Sequence, residues 1–275
     1  MRKRPTHIIR YVLLLLMFLN VGLAKAQVVE GERVVRASLL VEQSDYSRPF
    51  YVGIQFDLSP GWYLYWINPG DSGLPVEVTW ELPGGFVAGS IDQPVPEKYV
   101  SAESVSFGFK RELLLLCKIQ PPPTAGGDQD LRIRVSLDWL VCKESCVRGT
   151  ADLSVDLRHV RPSQQLTPAH IERVKASLPR DISLLDLAVA EQHVTRDGQS
   201  TTLSLQFSGN DMQRISDFYP EIIDGFTIEH TEISLAGGKL TLPLTAHSRQ
   251  SALKRVRGLL IMGREGYVLD IPIFE

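Results

Sequence analysis

From residue 34 onward the chain is dominated by alternation of apolar and polar positions. In the stretch 131–141, Leu131, Ile133, Val135, Leu137, Trp139 and Val141 share one parity and Arg132, Arg134, Ser136 and Asp138 take the other, which is the signature of a half-buried strand. Ala151, Leu153, Val155 and Leu157 repeat the pattern against Asp152, Ser154 and Asp156. Between the two runs lie Cys142 and Cys146, in Trp-Leu-Val-Cys-Lys-Glu-Ser-Cys-Val-Arg-Gly, with Cys142 on the polar parity. In one continuous strand, residues four apart would stand about 13 Å from each other. Opposed across a short turn, their Cβ atoms would be about 4.5–5.5 Å apart, and a small adjustment would allow a disulfide. The pattern predicts a hairpin whose tip is flanked by the two cysteines.

Further alternating runs predict strands at 34–41, 50–58, through Val76, Val78 and Trp80, and at 104–109 and 113–119. Pro60-Gly61, Asn68-Pro69-Gly70-Asp71 and Pro83-Gly84-Gly85 read as turns, and Pro121 to Gly127 as an exposed loop. Strands so short and so regularly spaced favour a β-sandwich over residues 27–160. At Arg161 the texture changes. Thr167 caps a short helix opened by Pro168, with Ile171, Val174 and Leu178 at helical spacing, giving a linker over 161–180. Beyond it, runs near 184–190, 201–207, 226–230, 233–235, 239–246, 255–261 and 267–273 predict a second, smaller sandwich over 181–275. The expectation is an all-β chain of two sandwiches in tandem joined by a short helical linker.

Composition bears on the compartment. Arg2, Lys3, Arg4 and Arg10 precede an apolar run from Tyr11 to Ala24, then Ala24-Lys25-Ala26, which reads as a signal peptide over 1–26. The run is short for a membrane span of about 20 residues, and no second run approaches that length. The expected product is exported to a periplasm, with no membrane span after cleavage. Without residues 1–26, 24 Lys and Arg face 32 Asp and Glu, a net charge of −8 that argues against nucleic-acid binding.

Is a Cys142–Cys146 bond a staple or a reagent? By chain entropy a closed loop of about five residues contributes only about 2 kcal/mol, against about 4.7 for a loop of about a hundred. Lys143 and Arg148 favour thiolate, with Glu144 partly opposing them. Short, surface-near pairs are the labile kind, so reversible exchange is favoured over an inert staple, with metal binding third. Cys117 shares parity with Leu113, Leu115 and Ile119 and reads as a buried, inert thiol. His159, His170, His193, His230 and His247 are scattered without ligand spacing and read as surface residues. Gly61-Trp62-Tyr63-Leu64-Tyr65-Trp66 sets four aromatics beside the glycine-rich Asn68–Gly73 segment. These are either core aromatics with a tight loop or a shielding and docking surface beside the cysteines. The segment lacks the Lys-Ser/Thr ending of a phosphate loop, and Ser72 has no His partner nearby in sequence.

Gly61-Trp-Tyr-Leu-Tyr65, Leu82-Pro-Gly-Gly85, Leu114-Leu-Leu-Cys-Lys-Ile119 and Trp139-Leu-Val-Cys-Lys-Glu-Ser-Cys146 together resemble the periplasmic N-terminal domain of the thiol:disulfide interchange protein DsbD family over roughly residues 30–160. The copper-tolerance-associated relatives look closer still, sharing the Pro-Gly-Asp-Ser/Ala-Gly turn and the tighter cysteine spacing. Asp217-Phe-Tyr-Pro-Glu221 is similar to a segment of their longer N-terminal regions. The resemblance implies immunoglobulin-like sandwiches and a dithiol at Cys142 and Cys146 that works without a cofactor or metal. By the same resemblance the dithiol would take electrons from a membrane thiol:disulfide reductase or thioredoxin-like protein and pass them to periplasmic disulfide proteins, as part of a disulfide-reduction or cytochrome c pathway. Cys146 carries over as the sulfur of the mixed disulfide, and Tyr99, in a segment that caps the cysteines, as a shielding aromatic. Trp139, Trp62, Tyr63, Tyr65 and Trp66 would shape the docking face. Family members spaced more widely leave five residues between the cysteines, where this chain has three. Full members also continue into a membrane carrier and a thioredoxin domain, so this chain is expected to find its reductant elsewhere. The expected activity is that of a thiol:disulfide oxidoreductase component. A non-enzymatic binding module with a structural disulfide, or a Cu(I)-binding copper-tolerance protein, are the alternatives.

Overall fold

A computed structural model describes residues 31–43, 45–101, 104–123 and 131–274. The signal-peptide expectation at 1–26 lies outside the described residues, as does most of the loop expected at 121–127. Strand β1 is Val35–Val41, β2 Phe50–Leu58, β3 Tyr63–Gly70, β4 Glu77–Glu81 and β5 Val87–Asp92. They are followed by β6 Glu97–Val100, β7 Val105–Lys110, β8 Glu112–Gln120, β9 Arg132–Cys142 and β10 Cys146–Asp156. Among the described residues these build a four-stranded sheet, β1-β2-β8-β5, against a six-stranded sheet, β10-β9-β3-β7-β6, with β4 also on β9. Phe56, Leu115, Phe107 and Trp139 fill the space between, the rings of Phe56 and Trp139 meeting edge-on at 5.7 Å. Each such fully buried side chain contributes roughly 1.5–3 kcal/mol.

The run Leu113–Leu116 breaks alternation for a reason the fold supplies. Leu113 and Leu115 enter the sandwich core, while Leu114 and Leu116, on the other parity, meet Leu40, Leu166, Ile171 and Val174 outside it. Ile171 and Val174 belong to the linker helix Pro168–Ser177, whose cap is the hydroxyl of Thr167 accepting from the His170 amide. This helix buries its apolar stripe on the outer face of the first sandwich.

Strand β11 is Arg180–Asp181, β12 Ala188–Asp197, β13 Ser200–Ser208, β14 Asp217–Pro220 and β15 Phe226–Ile228. The last four are β16 Ser234–Ala236, β17 Lys239–Ala246, β18 Arg255–Met262 and β19 Glu265–Pro272. They form the sheets β11-β19-β18-β14 and β12-β13-β17-β15, with β16 on β17. Leu203, Leu205, Phe207, Phe218, Leu242 and Leu260 lie in their shared core. Residues of the opposite parity, Tyr219, Leu259 and Ile261, are buried in the core of the first sandwich. The sheet carrying β14 and β18 is therefore covered on both faces, by its own sandwich and by its neighbour.

The structure is the expected pair of β-sandwiches with a helical connection, and it corrects the sequence reading locally. Residues 63–70 form a strand where aromatics and a turn were expected, and the turn begins only after Gly70 (φ +92°). Strands at 87–92, 97–100 and 217–220 carried no recognised alternation. The strand expected at 184–190 starts at Ala188, after a single 3₁₀ turn at Ile182–Leu184.

Candidate functional site

Strands β9 and β10 run antiparallel with Cys142 directly opposite Cys146, and the chain turns through Lys143, Glu144 and Ser145. The two Cα atoms are 4.1 Å apart and the sulfurs are bonded. Cys142 is only 2 % exposed, whereas Cys146 is exposed. Of the two bonded residues, only Cys146 is open to solvent.

What covers Cys142 follows from register. Tyr63 of β3 pairs with Cys142 of β9 and with Lys110 of β7, and residues paired across a ladder point to the same face. Tyr65, two residues on, lies on that face too. Its hydroxyl donates to the Cys142 Sγ at 2.9 Å and stands 3.6 Å from the Cys146 Sγ. Tyr63 and Tyr65 hydroxyls are 3.4 Å apart, and the Tyr99 ring packs on Tyr63 at 4.9 Å. The Lys110 ammonium sits 3.8 Å from the centre of the Tyr99 ring. Burial, followed by the contact with Tyr63, pushes the ionisation of Tyr65 far above that of a free phenol. Tyr99 is raised likewise, by burial and then by Glu97. Both stay protonated in neutral solution, and Tyr65 is a standing donor to sulfur.

The same parity argument removes the tryptophans from this face. Trp139 is 2 % exposed against Phe56, with Gly149 so close that a Cβ there would meet the indole at 2.6 Å. Trp66 is buried against Phe107, and Trp62 packs on the same core. The expected docking role of Trp139, Trp62 and Trp66 is therefore corrected: they stand on the core side of the sheet, while Tyr63, Tyr65 and Tyr99 stand beside the disulfide. Arg148 is a second correction. Its guanidinium is paired with Asp138, so its charge is spent there and not on a cysteine thiolate. Lys143 lies back across Gly61, which at φ +85° leaves room for its methylenes.

Sequence reading missed the wall behind Tyr65. Gly73, at φ +114°, lies flat on the phenol ring, where a Cβ would come within 2.3 Å of Cζ. The Ser72 side chain acts on the Tyr65 hydroxyl from the same side, slightly opposing the upward shift of its ionisation. Cys117 lies apart from this site, buried and free, its Sγ donating to the Gly89 carbonyl at 3.4 Å; burial pushes its thiol up to about 11. His230, read from the sequence as a surface residue, is 5 % exposed at the joint between the sandwiches. Among the described residues no group of three or more His, Cys, Asp or Glu side chains is placed to hold a metal. Nor, among them, is any helix long and apolar enough to cross a membrane.

A hairpin disulfide on the outer face of an immunoglobulin-like sandwich, one cysteine buried under a phenol and the other exposed, defines the first domain as a thiol:disulfide exchange module. Residues 26–157, the stretch that takes in the first sandwich, match the family model "Thiol:disulfide interchange protein DsbD, N-terminal". The solved N-terminal periplasmic domain of ScsB from Proteus mirabilis superimposes with a TM-score of 0.62 at 17 % identity, over 88 % of this chain and 93 % of that one. That likeness extends the shared fold across both sandwiches. No curated protein matches the chain.

Proposed function

We propose that the chain is a soluble periplasmic thiol:disulfide exchange protein that relays electrons through Cys142 and Cys146. The observation that carries this reading is the unequal exposure of the two cysteines, Cys146 exposed and Cys142 buried under the Tyr65 hydroxyl. A thiolate of a reduced partner of the thioredoxin type attacks the Cys146 Sγ. The Cys142–Cys146 bond breaks, and Cys142 leaves with the electron pair as a thiolate, which the Tyr65 hydroxyl stabilises by a charge-assisted hydrogen bond. The partner's second thiolate then attacks its own sulfur in the mixed disulfide and releases Cys146. Two electrons have moved, the partner is a disulfide, and solvent supplies the protons. The reduced pair repeats the sequence in reverse on an oxidised periplasmic protein, with Cys146 as nucleophile.

The match of the first sandwich to the DsbD N-terminal family model supports an exchange role, and the likeness to the periplasmic domain of ScsB supports the compartment. Equilibration with glutathione tests the reading. An exchange pair has a potential well above about −300 mV, while a structural bridge lies below it. A Cys142→Ser variant should accumulate a mixed disulfide with partner through Cys146, and Cys146→Ser should not. A bridge that glutathione cannot open, or equal trapping by both variants, removes the reading.

A further inference from the structure

The second sandwich reaches the residues beside the redox site through the buried His230 and the Pro220 carbonyl. His230 Nδ1 lies 2.9 Å from Asp71 Oδ1, and its Nε2 lies 3.2 Å from Asn68 Nδ2. The same Asn68 amide donates to the Pro220 carbonyl at 2.7 Å, while its Oδ1 accepts from the Gly70 amide at 3.0 Å. Both ends of the Asn68 side chain are thus assigned, which makes Nε2 of His230 the acceptor and Nδ1–H the donor to Asp71. The other Asp71 oxygen accepts from the Val105 amide at 2.6 Å, and the Asp71 amide donates to the Val105 carbonyl at 2.9 Å. The end of β3 and the turn that follows it, residues 68–73, are therefore tied to β7 on one side and to the second sandwich on the other. Two residues past Asp71, Gly73 lies against the Tyr65 ring. Around His230 lie the Phe107 ring at 5.7 Å and the charges of Asp71, Lys98 and Glu229. The segment Asp217–Pro220 completes the joint, Asp217 paired with Lys98 at 2.9 Å and Tyr219 against Phe107 at 4.8 Å.

We propose that His230 is a positioning residue for disulfide exchange: through Asp71 it holds the turn that presses Tyr65 onto Cys142, so that the second sandwich is a working part of the redox centre of the first. The inference rests on the exchange reading above. Its physical basis is the cost of moving any member of a buried, fully satisfied hydrogen-bond network, which ties Tyr65 to one position instead of leaving its hydroxyl to search. Losing this anchor leaves the turn held by Val105 and Pro220 alone, and the phenol meets the departing Cys142 thiolate less well.

The test is the rate at which dithiothreitol reduces the Cys142–Cys146 bond in the full chain, measured for wild type, His230→Ala, Tyr65→Phe and the double variant. His230→Ala is expected to slow reduction about threefold to tenfold, the worth of one hydrogen bond. In the Tyr65→Phe background the same substitution should change the rate by less than about twofold, because the two residues act through one contact. His230→Asn, which keeps a donor for Asp71, should restore a rate within about twofold of wild type. Should His230→Ala fail to fold, His230→Phe, which fills the space without a hydrogen-bonding group, takes its place in the cycle. A wild-type rate in His230→Ala, or a full additional loss in the double variant, overturns the inference while leaving the exchange reading intact. A wild-type bond that dithiothreitol does not open overturns both.

Discussion

The Tyr65 hydroxyl rests 2.9 Å from the Cys142 Sγ, a contact between residues 77 positions apart that β3 and β9 bring together by pairing Tyr63 with Cys142. A disulfide sulfur is a weak acceptor and a thiolate a strong one, so the contact strengthens as the bond opens. Tyr65→Phe should therefore make the pair harder to reduce. Reduction by dithiothreitol should slow about threefold to tenfold, and the equilibrium with glutathione should shift toward the disulfide. An unchanged rate and equilibrium would show that the phenol only covers the sulfur.

Gly73 has no substitute at its position. Alanine there meets both a left-handed backbone, at φ +114°, and the Tyr65 ring at 2.3 Å. Gly73→Ala should cost about 2 kcal/mol of stability, read from the urea midpoint, and slow exchange as well because the ring is displaced. A variant as stable as wild type would mean that the turn relaxes freely.

Acid should loosen the joint between the sandwiches. Burial depresses the His230 pKa below its ordinary 6.5, the contact with Asp71 only partly opposing this. The unfolded chain then takes up the proton first as pH falls, so stability attributable to His230 is complete above about pH 6.5 and is lost progressively as pH falls toward the depressed folded value. Urea midpoints should fall between about pH 7.5 and about pH 5.5 in wild type by more than in His230→Phe. Parallel pH curves for the two proteins would contradict the buried neutral histidine.

Cys117 should be silent in the folded state. Its thiol is buried and its pKa is pushed up to about 11, so little thiolate forms near neutral pH. The oxidised native protein should take up no iodoacetamide, and one equivalent after denaturation. Uptake by the folded protein would place Cys117 in reach of solvent.

Alternation made the long strands legible. The run 131–157 announced β9, β10 and the turn between the cysteines, and the observed register sets Cys142 opposite Cys146. Short strands stayed hidden: Glu97–Val100 and Asp217–Pro220 are too brief to show a period, and their residues are placed by partners elsewhere in the chain. Parity within Trp62–Trp66 could have separated the tyrosines from the tryptophans had those residues been read as a strand. Leu113–Leu116 and His230 were ambiguous for another cause. An apolar run does not say that a helix will cover its second face, and an isolated histidine carries no mark of burial.

By itself the sequence determined the local periods, the sandwich class and the pair of sulfurs at a hairpin tip, because these depend on neighbours a few residues away. Only the tertiary structure decided which cysteine is buried and that the second sandwich stands behind its cover. Tyr65 meets Cys142, and His230 meets Asp71 159 positions away, through ladder register and interdomain packing. Those contacts form between segments whose separation along the chain bears no relation to their distance in space.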